Sequence, residues 1–345
     1  MKFTVQNIRE VFYMNKINVA LIGAGSWGSN FAYILSKLSQ VELVAITDAN
    51  KMLVNKLSRE LGIKAYVDYH KMLDRELLDA VFVRTPDWAH LEPCLSTIQK
   101  RLHLFVEKPL AQNVEDGKKM IKAAKDKGIK LMVGHILRFD PRYYLAYRAV
   151  QEGRIGKIIH IFCRRNDMRI SPVRYAGKTN PAFFLAVHDL DFIRFLAGDV
   201  ERVYSESTKI LFKNLPTVDG FSTVIKFKNG ATALLENYWI LPKSRGKSTA
   251  RLEITGTEGV IFVDDYDRKL EIYDSKGVEY PDTIMKPIVW DIPVGVLKEE
   301  ISSFIECIIN DEKPLITGED GLEAVKLAIA ICESAEKGRV ITIKS

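Results

Sequence analysis

The sequence predicts two domains: an N-terminal doubly wound α/β domain with a parallel sheet, then an α+β domain on a mainly antiparallel open sheet covered by helices on one face. Three observations carry that prediction. A β-branched run at 17–22 ends in a G-x-G-x-x-G turn made by Gly23, Gly25 and Gly28, and Asp48 closes the next apolar run about twenty positions on. Strand-like and helix-like segments then alternate as far as residue 139. Beyond Asp140 the apolar residues recur with period two, the mark of half-buried strands.

The elements follow in order. After the glycine turn, Phe31, Ile34, Leu35 and Leu38 recur at helical spacing. Residues 41–47 read as a strand, 53–61 as a helix, 64–67 as a short strand, 70–73 as a helix, and 78–83 as a strand that runs out at Thr85-Pro86. A helix at 91–99, a strand at 102–106, a helix at 114–127 and a strand at 130–133 complete the alternation of a Rossmann-type nucleotide domain. In the second domain a helix at 142–151 precedes strand-like runs at 157–164, 200–211, 222–227, 232–239, 250–254, 260–263 and 270–273. Lys228-Asn229-Gly230 and the turn at 256–259 are hairpin signals between them. Helices return at 296–309 and 318–337, and a strand at 340–343 ends the chain.

The expected organisation is therefore an extension or packed helix at 1–13, a cofactor domain at 14–139 and a substrate and association domain at 140–345. The last helix and strand of the second domain are free to pack back near the first. An antiparallel sheet of this size with one face bare invites a homodimer or homotetramer through that sheet, and Tyr204, Tyr238 and Trp239 are read as the exposed aromatics.

Composition narrows the function classes. The 345 residues exceed one ordinary core, and 47% hydrophobic with 27% charged residues is the balance of a soluble globular protein. A net charge of +6 without a basic block argues against a nucleic-acid partner. No uncharged apolar window reaches the roughly 18 residues of a spanning helix, so no membrane role is expected. Cys94, Cys163, Cys307 and Cys332 are widely spaced, with no metal-ligand pattern; they read as reduced thiols of a cytoplasmic protein, and no metal is expected.

The glycine turn points to a dinucleotide for mechanical reasons. Gly23 can take the angles of a tight strand-to-helix turn, Gly25 lets a pyrophosphate approach the main chain, and Gly28 allows the helix to pack against the strand. The first N–H groups of the helix, around Ala24, Ser26 and Trp27, would then face the phosphates. Asp48 would accept hydrogen bonds from both adenosine ribose hydroxyls and repel a 2′-phosphate, which favours NAD. Lys51 and Lys56 would soften that repulsion, so NADP stays open. Thr85 and Pro86 close the fourth strand over the nicotinamide half; His90 either joins them or lines the next helix start.

Glu107-Lys108-Pro109 follows a strand, at the carboxyl edge where open α/β sheets bind ligands, so Glu107 and Lys108 are candidates for cofactor and substrate contact. A partly desolvated lysine there could transfer protons, and a plain surface turn is the competing reading. His188-Asp189-Leu190-Asp191 opens an amphipathic helix: His188 could exchange a proton with a substrate hydroxyl and Asp191 could bind substrate, or the acids could simply complement the helix start. Arg138 is a substrate contact or an interdomain ion-pair partner. The basic run Arg164, Arg165, Arg169, Arg174 and Lys178 reads as a solvated loop, or as a cover that draws an anionic substrate to Arg165.

In sequence order, G-A-G-S-W-G at 23–28, T-P-D-W-A-H at 85–90, E-K-P at 107–109, G-H-I-L-R-F at 134–139, H-D-L-D at 188–191 and L-I-T-G-E-D-G-L-E-A at 315–324 resemble the Gfo/Idh/MocA oxidoreductases, the family of glucose-fructose oxidoreductase and inositol dehydrogenase. The resemblance covers residues 14–345. It implies that Lys108 is the catalytic lysine that bonds the reacting oxygen, that the Lys108-Pro109 bond is cis, and that His188 shares the proton transfer. One position departs: where many members carry an aspartate four residues before the histidine, this chain has Phe184. Some relatives acting on nucleotide sugars lack that acid too.

The resulting expectation is an NAD(P)-dependent dehydrogenase that moves a hydride between nicotinamide and a secondary alcohol or ketone of a sugar, cyclitol or nucleotide sugar, with Lys108 and His188 handling the proton. The alternatives are a cofactor-loaded binding protein or redox sensor without turnover, for which Phe184 speaks, and an enzyme with tightly held NADP that recycles between two substrates.

Overall fold

The computed structural model describes residues 16–245, 248–264, 270, 272–274 and 277–343. The extension or helix expected at 1–13 lies outside them. The chain divides into two compact units: residues up to Glu107 with Met120–Met132 and Lys286–Thr317, and Lys108–Lys119 with Val133–Met285 and Gly318–Ser345.

The first unit is built on strands β1 (Ile17–Ile22), β2 (Val41–Thr47), β3 (Lys64–Tyr66), β4 (Ala80–Val83), β5 (His103–Glu107) and β6 (Leu131–Gly134), in the spatial order β3-β2-β1-β4-β5-β6. The β1–β2, β1–β4, β2–β3 and β4–β5 pairings are parallel. Helices α1 (Ser26–Lys37), α2 (Lys51–Leu61), α3 (Tyr69–Arg75), α4 (Leu91–Gln99) and α5 (Val114–Lys127) make the crossovers. Local chemistry sets their ends. Asn50 caps α2 through its side chain, a left-handed Gly62 closes it, and Asp68 caps α3. Strand order reverses between β1 and β4, which puts the glycine turn after β1 at the switch point of the sheet.

The second unit holds a seven-stranded sheet of β7 (Ile158–Met168), β8 (Val200–Thr208), β9 (Gly220–Phe227), β10 (Thr232–Leu241), β11 (Thr249–Gly256), β12 (Val260–Asp264) and, on the edge, the final strand Ile341–Thr342, in the order β12-β11-β7-β10-β9-β8 and then that strand. The pairings are antiparallel except β7–β10. The helical elements are α6 (Pro141–Gln151), α7 (Ile170–Arg174), a π-helical turn (Ala182–Ala186) that continues into α8 (Val187–Ala197), and α10 (Gly318–Lys337). α9 (Val296–Ile309) belongs to the first unit.

That membership departs from a boundary at residue 139, and packing explains it. Phe304 of α9 lies 5.4 Å from Phe82 and 5.8 Å from Phe105, ring centre to ring centre, and Phe31 of α1 completes the cluster. All four rings are fully buried, each burial being worth roughly 1.5–3 kcal/mol, enough to draw a distant helix onto the parallel sheet. A bridge between Met132 and Thr317 and a bond from Lys130 Nζ to Asp311 (2.8 Å) tie the same segment down.

The second sheet has an inner face of Ile161, Cys163, Val203, Ile225, Ala233, Leu235, Leu252 and Ile254, all buried. Its other face carries one continuous row across six strands: Tyr204, Val224, Leu234, Phe162, Glu253 and Phe262. A polar row of Glu206, Ser222, Glu236, Arg164, Arg251 and Asp264 lies beside it. Trp239, expected on the exposed face, is 0% exposed. Tyr238 and Trp239 are neighbours on one strand, so pleating sends them to opposite faces. The strand expected at 200–211 stops at Thr208, because the Asp219 carboxylate takes the N–H groups of Ile210, Leu211 and Phe212 (2.6–2.9 Å) and curls the chain away.

Candidate active site

The glycine turn of the first unit is shaped by three different demands. Gly23 has φ +106°, and a Cβ there would come 2.5 Å from the Arg84 carbonyl oxygen; a Cβ on Gly28 would come 2.0 Å from that of Gly23. Both are glycine because the turn is packed. A Cβ on Gly25 would meet nothing within 4 Å, so the space beside that backbone is open. Gly25 also begins α1, whose start has no side-chain cap and no acid in its first turn. Asp48 braces the turn: its Oδ2 accepts from Ala24 N–H (2.7 Å) and its Oδ1 from Asn50 N–H (2.8 Å). An open approach at Gly25, a helix start free of competing acids and a carboxylate at the end of β2 fit a dinucleotide.

Of the two readings of His90, the structure fits the helix start: the residue immediately precedes α4. It is 1% exposed and its Nε2 is engaged with the Thr85 carbonyl (3.0 Å), so it braces the turn after β4. Thr85 Oγ1 donates to Ala89 O (3.0 Å), which folds the same turn on itself. Glu107 pairs with Arg84, whose guanidinium lies 4.4 Å from the Phe31 ring centre and 5.8 Å from that of Trp27. Neither Arg84 nor its neighbour Glu300 stood out in the sequence. Glu300, on α9, is 1% exposed, and burial pushes its carboxyl up to about 8 despite the opposing pull of the Arg84 charge.

In the second unit, pleating delivers polar side chains to one end of the inner sheet face. Along β7 the inward residues change from Ile161 and Cys163 to Arg165 and Asp167, and along β10 from Ala233 and Leu235 to Asn237 and Trp239. The π-helical turn and α8 lie over this end. Within 181–190 every residue is buried except Phe184 and His188, which share a face one turn apart. π-helical turns recur at functional sites.

Lys108 meets that face. Its Nζ donates to the Phe184 carbonyl (2.9 Å) and lies 4.9 Å from the centre of the Phe184 ring. The Lys108-Pro109 bond is cis. Phe184 is held in turn by Tyr175 (5.2 Å between ring centres) and Trp239 (5.9 Å, edge to face). The position where many family members carry a carboxylate thus offers Lys108 a carbonyl and an aromatic face.

Three expected substrate contacts are satisfied by protein. Arg138 grips Asp191 with two bonds (2.9 and 2.5 Å), and at 7% and 2% exposure neither side chain is accessible to a substrate. Arg165 does not lie in a loop: it sits in β7 and makes a bidentate pair with Asp189 (2.8–3.2 Å), while Arg164 points to the other face and pairs with Glu236. His135 was missed. It is 1% exposed, its ring nitrogens have no hydrogen-bond partner among the described residues, and burial lowers its pKa so that the imidazole stays neutral.

Comparison with known proteins identifies the family. Residues 17–135 match the model described as an oxidoreductase family with an NAD-binding Rossmann fold, and residues 148–343 match that family's C-terminal alpha/beta domain. Myo-inositol 2-dehydrogenase of Thermotoga maritima is 27% identical over 95% of this chain and 99% of its own length. The scyllo-inositol 2-dehydrogenase (NAD(+)) of Bacillus subtilis is also 27% identical, over 95% of this chain and 97% of its own. In fold, the crystal structure of myo-inositol 2-dehydrogenase from Lactobacillus plantarum superposes with a TM-score of 0.85 at 24% identity, covering 96% of this chain and 100% of that one. The chain, with its glycine turn, Lys108 and His188 in the expected order, belongs to the Gfo/Idh/MocA oxidoreductase family and is an NAD-binding dehydrogenase.

Proposed function

We propose that this enzyme oxidises a secondary alcohol of a sugar or cyclitol, and reduces the corresponding ketone, with Lys108 and His188 as its catalytic residues. The observation that carries the reading is the grouping of Lys108 with Phe184, one helical turn from His188, on the only partly exposed face of an otherwise buried segment.

Bound NAD supplies the hydride acceptor for oxidation and, reduced, the donor for the reverse. The chain does the rest. The turn from Gly23 to Gly28 would receive the pyrophosphate on the main-chain N–H groups at the start of α1, those of Ser26 and Trp27 among them, while the N–H groups of Gly23 and Ala24 stay bonded to the Thr47 carbonyl and to Asp48; the Asp48 carboxylate would accept from the ribose hydroxyls with lone pairs left over from Ala24 and Asn50. That acid selects NAD over NADP. Thr85 and Pro86 flank the nicotinamide half, and Glu107 acts through Arg84.

Lys108 first passes its own ammonium proton to His188; the neutral amine then holds the reacting oxygen and takes the hydroxyl proton as the carbinol carbon loses hydride, and in reduction the ammonium gives that proton back to the oxygen and is reprotonated through His188. The names of the inositol dehydrogenases support a cyclitol or sugar ring as substrate. A nucleotide-linked sugar is a second candidate, favoured by the exposed Arg169 and Arg174 beyond the paired arginines of β7. The enzyme assembles as a homo-oligomer through the apolar row Tyr204, Val224, Leu234, Phe162 and Phe262, and works in the cytoplasm, where its four free cysteines stay reduced. No helix among the described residues is long and apolar enough to cross a membrane.

The test is direct. Purified protein, NAD and a panel of inositols, hexoses and nucleotide sugars should yield reduced nicotinamide absorbance with at least one ring substrate, at a rate that Lys108→Met lowers roughly 10²–10⁴-fold. Tight NAD binding with no turnover of any panel member would favour the binding-protein alternative.

A further inference from the structure

Phe184 is placed to read the substrate as well as to hold Lys108. Its partly exposed ring packs against Tyr175 at 5.2 Å and edge to face on the fully buried Trp239 at 5.9 Å. The Lys108 ammonium lies 4.9 Å from its centre. For an oxygen bound to that ammonium on the side of the Phe184 ring, a substituent on the adjacent carbon of a sugar ring would meet the same aromatic surface. Phenylalanine offers no donor or acceptor at its ring. A hydroxyl set there exchanges its bonds with water for none, whereas a C–H group or a methyl exchanges water for van der Waals contact.

We infer that Phe184 is a specificity-determining residue, and that the substrate carries an apolar group, either a deoxy carbon or the methyl of an acetamido group, on the carbon next to the reacting carbinol. The inference rests on the reading of Lys108 as the group that binds the reacting oxygen. Fully hydroxylated cyclitols are then poor substrates, and deoxy or acylamino sugars good ones. An apolar site rejects an added hydroxyl only modestly, so the preference should be about ten- to a hundredfold in kcat/KM.

The experiment compares matched ligands on three proteins: wild type, Phe184→Asp and Phe184→Leu. The ligands are D-glucose, 2-deoxy-D-glucose and N-acetyl-D-glucosamine, free and as uridine diphosphate conjugates, together with myo-inositol and its monodeoxy derivatives. Turnover is read by nicotinamide absorbance and binding by saturation-transfer NMR with NAD present. Wild type should favour the deoxy or acetamido member of each set, Phe184→Asp should reverse that order, and Phe184→Leu, which keeps the surface apolar, should preserve it. Turnover with the same ligand order in all three proteins overturns the inference and leaves the dehydrogenase reading standing. Absence of turnover and of ligand binding in all three, with NAD bound, overturns both.

Discussion

The Lys108 ammonium rests on Phe184, 2.9 Å from its carbonyl oxygen and 4.9 Å from the centre of its ring. Phe184, a neutral residue, thereby gives the lysine one backbone bond and one cation–π contact, the latter worth about 0.5–2 kcal/mol. Lys108→Met keeps the stem and removes the ammonium. It should lower kcat/KM roughly 10²–10⁴-fold, while the NAD dissociation constant, measured by calorimetry, stays within about twofold of wild type because that binding energy is assigned to the other unit.

His188 should show itself through pH. His188→Gln preserves one hydrogen-bonding group but cannot change charge between pH 5 and 8. The expected outcome is a larger loss in kcat than in KM, and a rate profile in which the limb belonging to the imidazole has flattened. A profile parallel to that of wild type would assign His188 a packing role.

Two glycines separate folding from cofactor binding. Gly28→Ala puts a Cβ 2.0 Å from the Gly23 carbonyl oxygen and should unfold the protein at lower temperature; Gly25→Val meets no protein atom at its Cβ and should leave the melting temperature nearly unchanged. Gly25→Val should nonetheless weaken NAD binding by tenfold or more, since the added side chain enters the phosphate approach. Thermal melts with and without NAD read both effects.

Glu300 makes a pH-dependent cost. Its carboxyl is raised to about 8 in the folded chain by burial, so the native state holds a proton that the unfolded chain releases near pH 4.3. The unfolded state then binds fewer protons across that window, and stability falls as pH rises from about 4.3 to about 8. Glu300→Gln removes the ionisation. Its melting temperature should match wild type near pH 5 and exceed it at pH 8, by a stability difference on the order of a few kcal/mol. Equal differences at both pH values would show that Glu300 does not titrate in this range.

The apolar row on the open sheet face predicts assembly. Leu234→Arg places a charge in the middle of that row, between Val224 and Phe162, and should lower the mass seen by light scattering to that of one chain while the far-ultraviolet circular dichroism is unchanged. A wild-type mass of one chain at micromolar concentration would remove the proposed interface.

Local features were readable in the sequence, and long-range ones were not. The glycine turn, Asp48 and most of the period-two strands rest on a few neighbouring residues and lie where their spacing indicates, with the ends of individual strands shifted. The phase of the pleat was misread at Trp239, and Arg165 passed for a loop residue because the strand at 157–164 continues to Met168. The packing of α9 with the first unit depends on Phe304 reaching Phe82 and Phe105 across some two hundred residues, which no window of sequence contains. The same holds for Glu300 beside Arg84 and for the pairing of Arg138 with Asp191: burial and partner arise only once distant segments are folded together.

The central claim is that hydride leaves a carbinol carbon of the substrate while Lys108 holds its oxygen. Substrate deuterated at that carbon, incubated with NAD and the enzyme, tests it most directly through proton NMR of the nicotinamide product. The account predicts deuterium at C4 of the reduced ring with wild type and transfer slower by roughly 10²–10⁴-fold with Lys108→Met, although both proteins bind NAD. Equal transfer by the two proteins, or reduced nicotinamide that carries no label, would contradict it.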